Sequence, residues 1–158
     1  MATAVWRIAR RRHALDRRGV GARNGGGRWN HVGTGVIYAG CTIAIAALEK
    51  FVHLAGIVPP DLVLARLQLP EPYSAERPTL AELPADWNIV PPARGSMELG
   101  SRWARERRSL VLYVPSALVP EECNAVLNPD HPEFPAVTMV IERDFSYDDR
   151  MYLSRARR

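Results

Sequence analysis

Three groups of side chains in this sequence have types and settings that support chemistry. The first is the run Gly25-Gly26-Gly27-Arg28-Trp29-Asn30. Glycines let a backbone approach a ligand closely, and their N–H groups can cradle anionic oxygens. Arg28 adds a planar fork suited to phosphate. No Lys-Ser/Thr pair follows and no Gly-x-Gly-x-x-Gly opens a helix, so the run is neither a P-loop nor a dinucleotide fingerprint. On pattern alone, a turn with a surface arginine is the simpler reading. The second is Glu49, a carboxylate set among Ala46, Leu48 and Val52, with His53 four residues on. Periodicity leaves open whether it lies on a solvated helix face or in a site. The third is Ser116, which follows the apolar run ending at Val114-Pro115. Strand ends present side chains at the rim of a sheet, yet no Gly-x-Ser-x-Gly elbow surrounds Ser116, so the sequence does not favour a hydrolase triad. Tyr38, in a short apolar run, reads equally as a core aromatic or a ligand platform. The histidines 13, 31, 53 and 131 have no metal-ligand spacing, so no metal is expected.

These residues need a scaffold, and the composition describes one. A chain of 158 residues with 47% hydrophobic and 24% charged residues can form one domain around one core. Cys41 and Cys123 are far apart in sequence and match no metal or redox spacing, which favours a reducing, cytoplasmic setting over a secreted disulfide scaffold. Residues 1–30 hold eight arginines against the single acid Asp16, a local charge of +7 within a net +4. Such a segment reads first as a solvated face or arm, then as a site for phosphate-bearing ligands, then for nucleic acid. Val32 to Leu48 is uncharged but too short and too glycine-rich to span a membrane.

The expected elements follow in order. Val5 to Ala9 reads as a strand, residues 19–35 as a glycine-punctuated loop, and Val36 to Ala39 as a short buried strand. Thr42 is a plausible N-cap for a helix with Ile45, Leu48, Val52 and Ala55 on one face, closed by Gly56. Leu62 to Leu69 suggests a strand. Residues 70–96, with six prolines, read as a surface excursion of little regular structure. Met97 to Arg108 forms an amphipathic helix, Ser109 to Val114 a strand, Pro120 to Asn128 one helical turn, and Val137 to Ile141 a last strand. This mixed order predicts an α+β fold in a single domain, residues 1–158, with a core at 5–150 and tails at 1–4 and 151–158.

Taken together, the ordered pieces resemble the RES family, named for an arginine, a glutamate and a serine, here Arg28, Glu49 and Ser116. The similarity extends to Ala14–Asp16, Gly26–Asn30, Val36–Tyr38, Ala47–Leu54, Arg108–Glu122, Asn124 and Leu127–Phe134, roughly residues 5–150. It departs at Asn24-Gly25, where an aromatic often stands, and after Asn124, where another aromatic is missing. The resemblance implies a diphtheria-toxin-like ADP-ribosyltransferase fold with a split, mostly antiparallel sheet and flanking helices. It further implies a cytoplasmic toxin held by an Xre-type helix-turn-helix antitoxin, acting on NAD by hydrolysis, phosphorolysis or protein ADP-ribosylation. On that reading Arg28 grips the pyrophosphate, Tyr38 stacks on nicotinamide, and Glu49 supports the charged ribose. Ser116 orients the substrate, and Trp29 and Asn30 help to bind it. NAD is then a substrate and no cofactor is required; phosphate is a candidate acceptor, and nucleic acid enters only through the antitoxin. A homo-oligomer remains open. The rival readings are a nucleic-acid-binding protein using the arginine-rich segment and an inactive member that only binds its antitoxin.

Overall fold

Alternating apolar residues build most of this chain into one sheet. The computed structural model describes residues 2–153; Met1 and residues 154–158, which belong to the expected tails, lie outside the described residues. The elements are β1 (Ala4–Arg10), α1 (Arg11–Ala14), α2 (Val20–Gly25), β2 (Ile37–Gly40), α3 (Ile43–His53) and β3 (Leu62–Gln68). They continue with β4 (Ala75–Glu76), α4 (Arg94–Arg105), β5 (Val111–Pro115), β6 (Cys123–Leu127) and β7 (Thr138–Asp144). The strand order is β4-β5-β6-β2-β1-β3-β7. Only β4 and β5 run parallel; the other neighbours are antiparallel. Strands β1 and β2 meet through the single register pair Trp6↔Gly40, whereas β1 and β3 pair along seven positions. The sheet is therefore nearly divided in two between β2 and β1, which gives the expected split, mostly antiparallel architecture.

Because side chains alternate across a strand, the sheet has two distinct faces. Ile37, Ala39, Val111, Tyr113, Ala125 and Leu127 join a core with Val63, Leu67 and Phe134 on one side. Their neighbours Leu112, Val114, Val126 and Tyr38 face the other way, against Trp29, Trp87 and Trp103. Helix α3 covers the adjoining part of that second face, where Ile43, Ala47 and Phe51 pack with Ile8, Leu62 and Leu64. Thr42 caps α3 as expected, its Oγ1 accepting from Ile45 N–H at 3.2 Å. The helix ends at His53, short of Gly56, because Ala55 and Gly56 both take positive φ. Gly40 sets how closely α3 seats: a Cβ there would lie 2.7 Å from the Ala46 nitrogen and 2.8 Å from Ile45 Cγ2.

Several expected elements came out differently. The glycine loop contains α2, and Arg11–Ala14 adds a short helix that the arginine-rich text concealed. Within residues 120–128, expected to hold a helical turn, Cys123–Leu127 form β6, since Ala125, Val126 and Leu127 complete the ladder between β2 and β5. The proline-rich excursion is partly structural: it supplies β4 and the buried Leu83, Trp87 and Ala93. Helix α4 starts at Arg94, ahead of Met97, and Trp103 is buried in it with Nε1 donating to Ser109 Oγ. The basic N-terminal segment is not a free arm. Arg10 pairs with Asp61, Arg11 with Asp144, and Arg17 donates to the carbonyls of Val137 and Phe134. Arg7 is largely buried with Nη1 lacking a hydrogen-bond partner among the described residues, and that burial pulls its pKa down against the opposing charge of Asp16. No helix among the described residues is long and apolar enough to cross a membrane.

The seat of α3 on Gly40 is testable. Gly40→Ala should lower unfolding free energy by about 1–3 kcal/mol, as overpacking of a tight site does. Gly21→Ala, on the open face of α2 where an added Cβ meets nothing, should be neutral or stabilise by up to about 1 kcal/mol. Urea denaturation of the pair measures both, and equal stabilities would show that α3 can shift without cost.

Candidate active site

Three elements converge on one carboxylate oxygen. Glu49 projects from α3, Ser116 stands just beyond β5, and Asn124 lies on β6. Register places Asn124 opposite Val114 on β5 and Gly40 on β2. Alternation then brings Asn124, Val114 and Ser116 to the face that α3 covers. Glu49 Oε1 accepts from Ser116 Oγ at 2.7 Å and from Asn124 Nδ2 at 2.7 Å. Ser116 is fully buried, and its Oγ also accepts from the N–H groups of Leu118 (3.1 Å) and Val119 (3.2 Å). One hydroxyl proton and both lone pairs are thus in use. Ser116 orients Glu49 and is itself fixed by its own loop. Glu49 turns to these two partners and not to His53. Its second oxygen, Oε2, meets no protein donor among the described residues, and the residue is half-buried. A fixed carboxylate with one free oxygen can bind hydroxyls and stabilise a developing positive charge.

The arginine loop is built differently from what its glycines imply. Asn30, fully buried, is its centre: Nδ2 donates to the carbonyls of Ala22, His31 and Thr34 at 2.8, 3.1 and 3.0 Å. Tyr38 Oη donates to Asn30 Oδ1 at 2.6 Å and accepts from Trp29 N–H at 3.0 Å. Gly27 makes room for that ring, since a Cβ would lie 2.7 Å from Tyr38 Oη. Burial pushes the Tyr38 hydroxyl pKa up, with the Trp29 hydrogen bond and the Arg28 charge pulling against it. Trp29 is buried and stacks on Trp87, ring centroids 6.3 Å apart. His31 N–H donates to Ser101 Oγ at 2.8 Å, which docks the loop on α4. Arg28 Nη1 donates to the carbonyls of Trp87 (2.8 Å) and Ile89 (2.9 Å), while Nε and Nη2 have no protein acceptor among the described residues. That leaves one edge of a pinned guanidinium for an anion.

The structure therefore joins Glu49 and Ser116 directly, and joins Arg28 to Tyr38 through the loop. Tyr38, paired with Val126, is a diagonal neighbour of Asn124 on the same face, a spacing of about 7–8 Å in a typical antiparallel pair. Trp29 and Asn30 sit in the protein interior, as supports of the loop. Asn124 is the functional residue that sequence reasoning left without a role. Its signal, a lone amide in the apolar strand Cys123–Leu127, becomes readable only once that segment is known to be a strand. A cavity of about 610 Å³ lined by Arg17, Phe134 and Met139 shares no residue with this cluster. No three His, Cys, Asp or Glu residues gather as a metal site among the described residues.

Comparison with known proteins agrees with this architecture. The RES domain family model matches residues 4–148. The chain is 41% identical over 157 residues to the Prs ADP-ribosylating toxin of Sphingobium sp. (strain YBL2), covering 96% of this chain and 98% of that protein. It is 36% identical to Toxin Res of Photorhabdus laumondii subsp. laumondii, over 84% of this chain and 86% of the relative. Among solved structures, the M. tuberculosis MbcT-MbcA toxin–antitoxin complex contains a chain of similar fold, with TM-score 0.68 at 17% identity, covering 96% of this chain and 87% of that one.

The Tyr38 hydroxyl holds the loop together, so its removal has a structural cost. Tyr38→Phe should lower stability by about 1–3 kcal/mol, because Trp29 N–H and Asn30 Oδ1 both lose a buried partner. Chemical denaturation measures this, and unchanged stability would mean that the loop does not depend on the tyrosine.

Proposed function

The chain belongs to the RES domain family, and we propose that it is the toxin of a toxin–antitoxin pair that breaks the nicotinamide–ribose bond of NAD. The observation that carries this reading is Glu49, one oxygen held by Ser116 and Asn124 and the other open. Breaking the C1′–N1 bond sends the bonding electrons to the nicotinamide ring, which leaves neutral, and leaves positive charge on the ribose. A carboxylate fixed before the substrate arrives stabilises that charge without reorganising. Its open oxygen is suited to a ribose hydroxyl. Ser116 and Asn124 act as positioning residues, holding the carboxylate in one orientation. The free edge of Arg28 is suited to the pyrophosphate, and the Tyr38 ring, fixed through its hydroxyl, offers a flat face to nicotinamide.

NAD is consumed in this scheme, and water, phosphate or a protein side chain takes the ADP-ribose. The relative named as a Prs ADP-ribosylating toxin favours keeping protein transfer as a second reading. Incubation with NAD, with and without phosphate, followed by mass spectrometry of small products and protein, separates the three acceptors. We further propose a cytoplasmic setting and a helix-turn-helix antitoxin of the Xre type as partner. The similarity in fold to a chain from a toxin–antitoxin complex supports the expectation of a partner.

Two substitutions test the roles. Glu49→Gln keeps an acceptor for Ser116 and Asn124 while removing the charge. NAD turnover should fall about 10²–10³-fold, the usual range for one preorganised electrostatic group, with the melting temperature little changed. Full turnover in a stable Glu49→Gln protein would sink the mechanism. Arg28→Lys should weaken NAD binding nearly as much as Arg28→Ala, because an ammonium cannot reproduce the fork that spans two carbonyls and an anion. Titration calorimetry in the slowed Glu49→Gln background measures this; unchanged affinity on adding Arg28→Lys would overturn it.

A further inference from the structure

Two cysteines that are 82 positions apart in sequence stand next to each other in the fold. The β2–β6 register runs Ile37↔Leu127 through Gly40↔Asn124, and the next step brings Cys41 opposite Cys123. Cys41 N–H donates to the Cys123 carbonyl at 3.0 Å, so the two backbones stay in contact one step past the end of β2. Residues opposed across antiparallel strands have Cα atoms about 4.5–5.5 Å apart, within the roughly 4.4–6.8 Å that a disulfide spans. Both thiols are free and partly exposed. They are not equivalent. Arg77 Nη1 donates to Cys123 Sγ at 3.4 Å, and the guanidinium is held there by the Tyr113 ring, 4.4 Å from its centroid. Tyr113 in turn shares a 2.8 Å hydrogen bond with Tyr73. A cation at the sulfur favours the thiolate, which is the nucleophile in exchange.

We propose that this pair is a thiol–disulfide exchange site for a small disulfide of the oxidised-glutathione class, with Cys123 as the attacking sulfur and Cys41 as the resolving one. The Cys123 thiolate attacks one sulfur of RS–SR; the S–S bond breaks and RS⁻ leaves, taking a proton from solvent as RSH. Cys41 then loses its proton to solvent and attacks Cys123 Sγ, expelling the second RS⁻, which is also protonated. Two thiols and one RS–SR become one Cys41–Cys123 bridge and two RSH. The groups facing the pair agree with these roles. The Cys41 thiol, a side-chain donor to the Cys123 sulfur, lowers the Cys123 pKa, helped by Arg77 and opposed by burial and Glu122, whereas the same thiol–thiol interaction and burial raise that of Cys41. Asn124, which holds Glu49, follows Cys123, and Thr42, which caps α3, follows Cys41. The bridge would thus close beside both supports of the carboxylate. A reversible bridge of this kind fits a reducing compartment, where lasting structural disulfides are rare.

The test uses the full chain, reduced, freed of reductant and exposed to oxidised glutathione, with intact-mass spectrometry as readout. The wild type should lose two hydrogens and keep no adduct. Cys41→Ser should stop with one glutathione on Cys123, and Cys123→Ser should react at least about tenfold more slowly. Arg77→Ala should slow the wild-type reaction at neutral pH while leaving the end product the same. Stable adducts on both cysteines of the wild type, or Cys123→Ser reacting as fast as Cys41→Ser, would overturn the proposal. If a serine variant fails to fold, the wild type alone decides between bridge and double adduct. None of these readouts depends on NAD.

Discussion

One carboxylate oxygen, shared between a serine hydroxyl and an asparagine amide, is the contact on which the site depends. Glu49 belongs to a helix, and its two partners belong to neighbouring strands or their ends. Hydrogen bonds to a charged acceptor are roughly twice as strong as neutral ones. Two of them fix both the side-chain rotamer and the rotation of α3 against the sheet. The remaining oxygen then has a definite place, because the helix can neither slide nor turn without breaking one of the two bonds. The close seat on Gly40 belongs to the same requirement, since a more distant helix would put Glu49 out of reach of β6.

The arginine loop shows a second economy of design. A glycine-rich run beside an arginine suggests a backbone cradle for phosphate, yet here Gly27 accommodates a tyrosine ring. Asn30 spends its amide on three loop carbonyls and its oxygen on Tyr38. The outcome is a rigid frame from which Arg28 projects, tied by one nitrogen to the segment around Trp87. Preorganisation of this sort lowers the entropy lost when an anion binds. The arginine is thus supported by residues that need not touch the ligand at all.

The segment 70–96 and the arginine-rich beginning of the chain illustrate how composition can mislead about order. Prolines and charges mark surface, but surface segments can still carry buried anchors. Leu83 and Trp87 enter the core that backs the arginine loop, so the proline-rich stretch is part of the site's foundation. Arg10 and Arg11 pair with carboxylates far along the chain and Arg17 binds two carbonyls, so part of this basic segment is tied to the domain and is not a free arm.

The sequence by itself determined the α+β class, the strands β1, β2, β3, β5 and β7 to within a few residues and the Thr42 cap, and its motif order singled out Arg28, Glu49 and Ser116 as candidates. These are local properties: side-chain alternation, capping chemistry and the order of motifs along the chain. It did not reveal that residues 123–127 are a strand, because five residues beginning Cys-Asn take their conformation from the two strands that flank them and not from propensity. With β6 unread, the register of Asn124 against Gly40 and Val114 was invisible, and so were the second hydrogen bond to Glu49 and the meeting of Cys41 with Cys123. Whether Glu49 was solvated or held was likewise undecidable from periodicity, since a helix pattern states which residues share a face but not what stands opposite. Contacts between elements far apart in the chain depend on packing, and only the tertiary structure decided them.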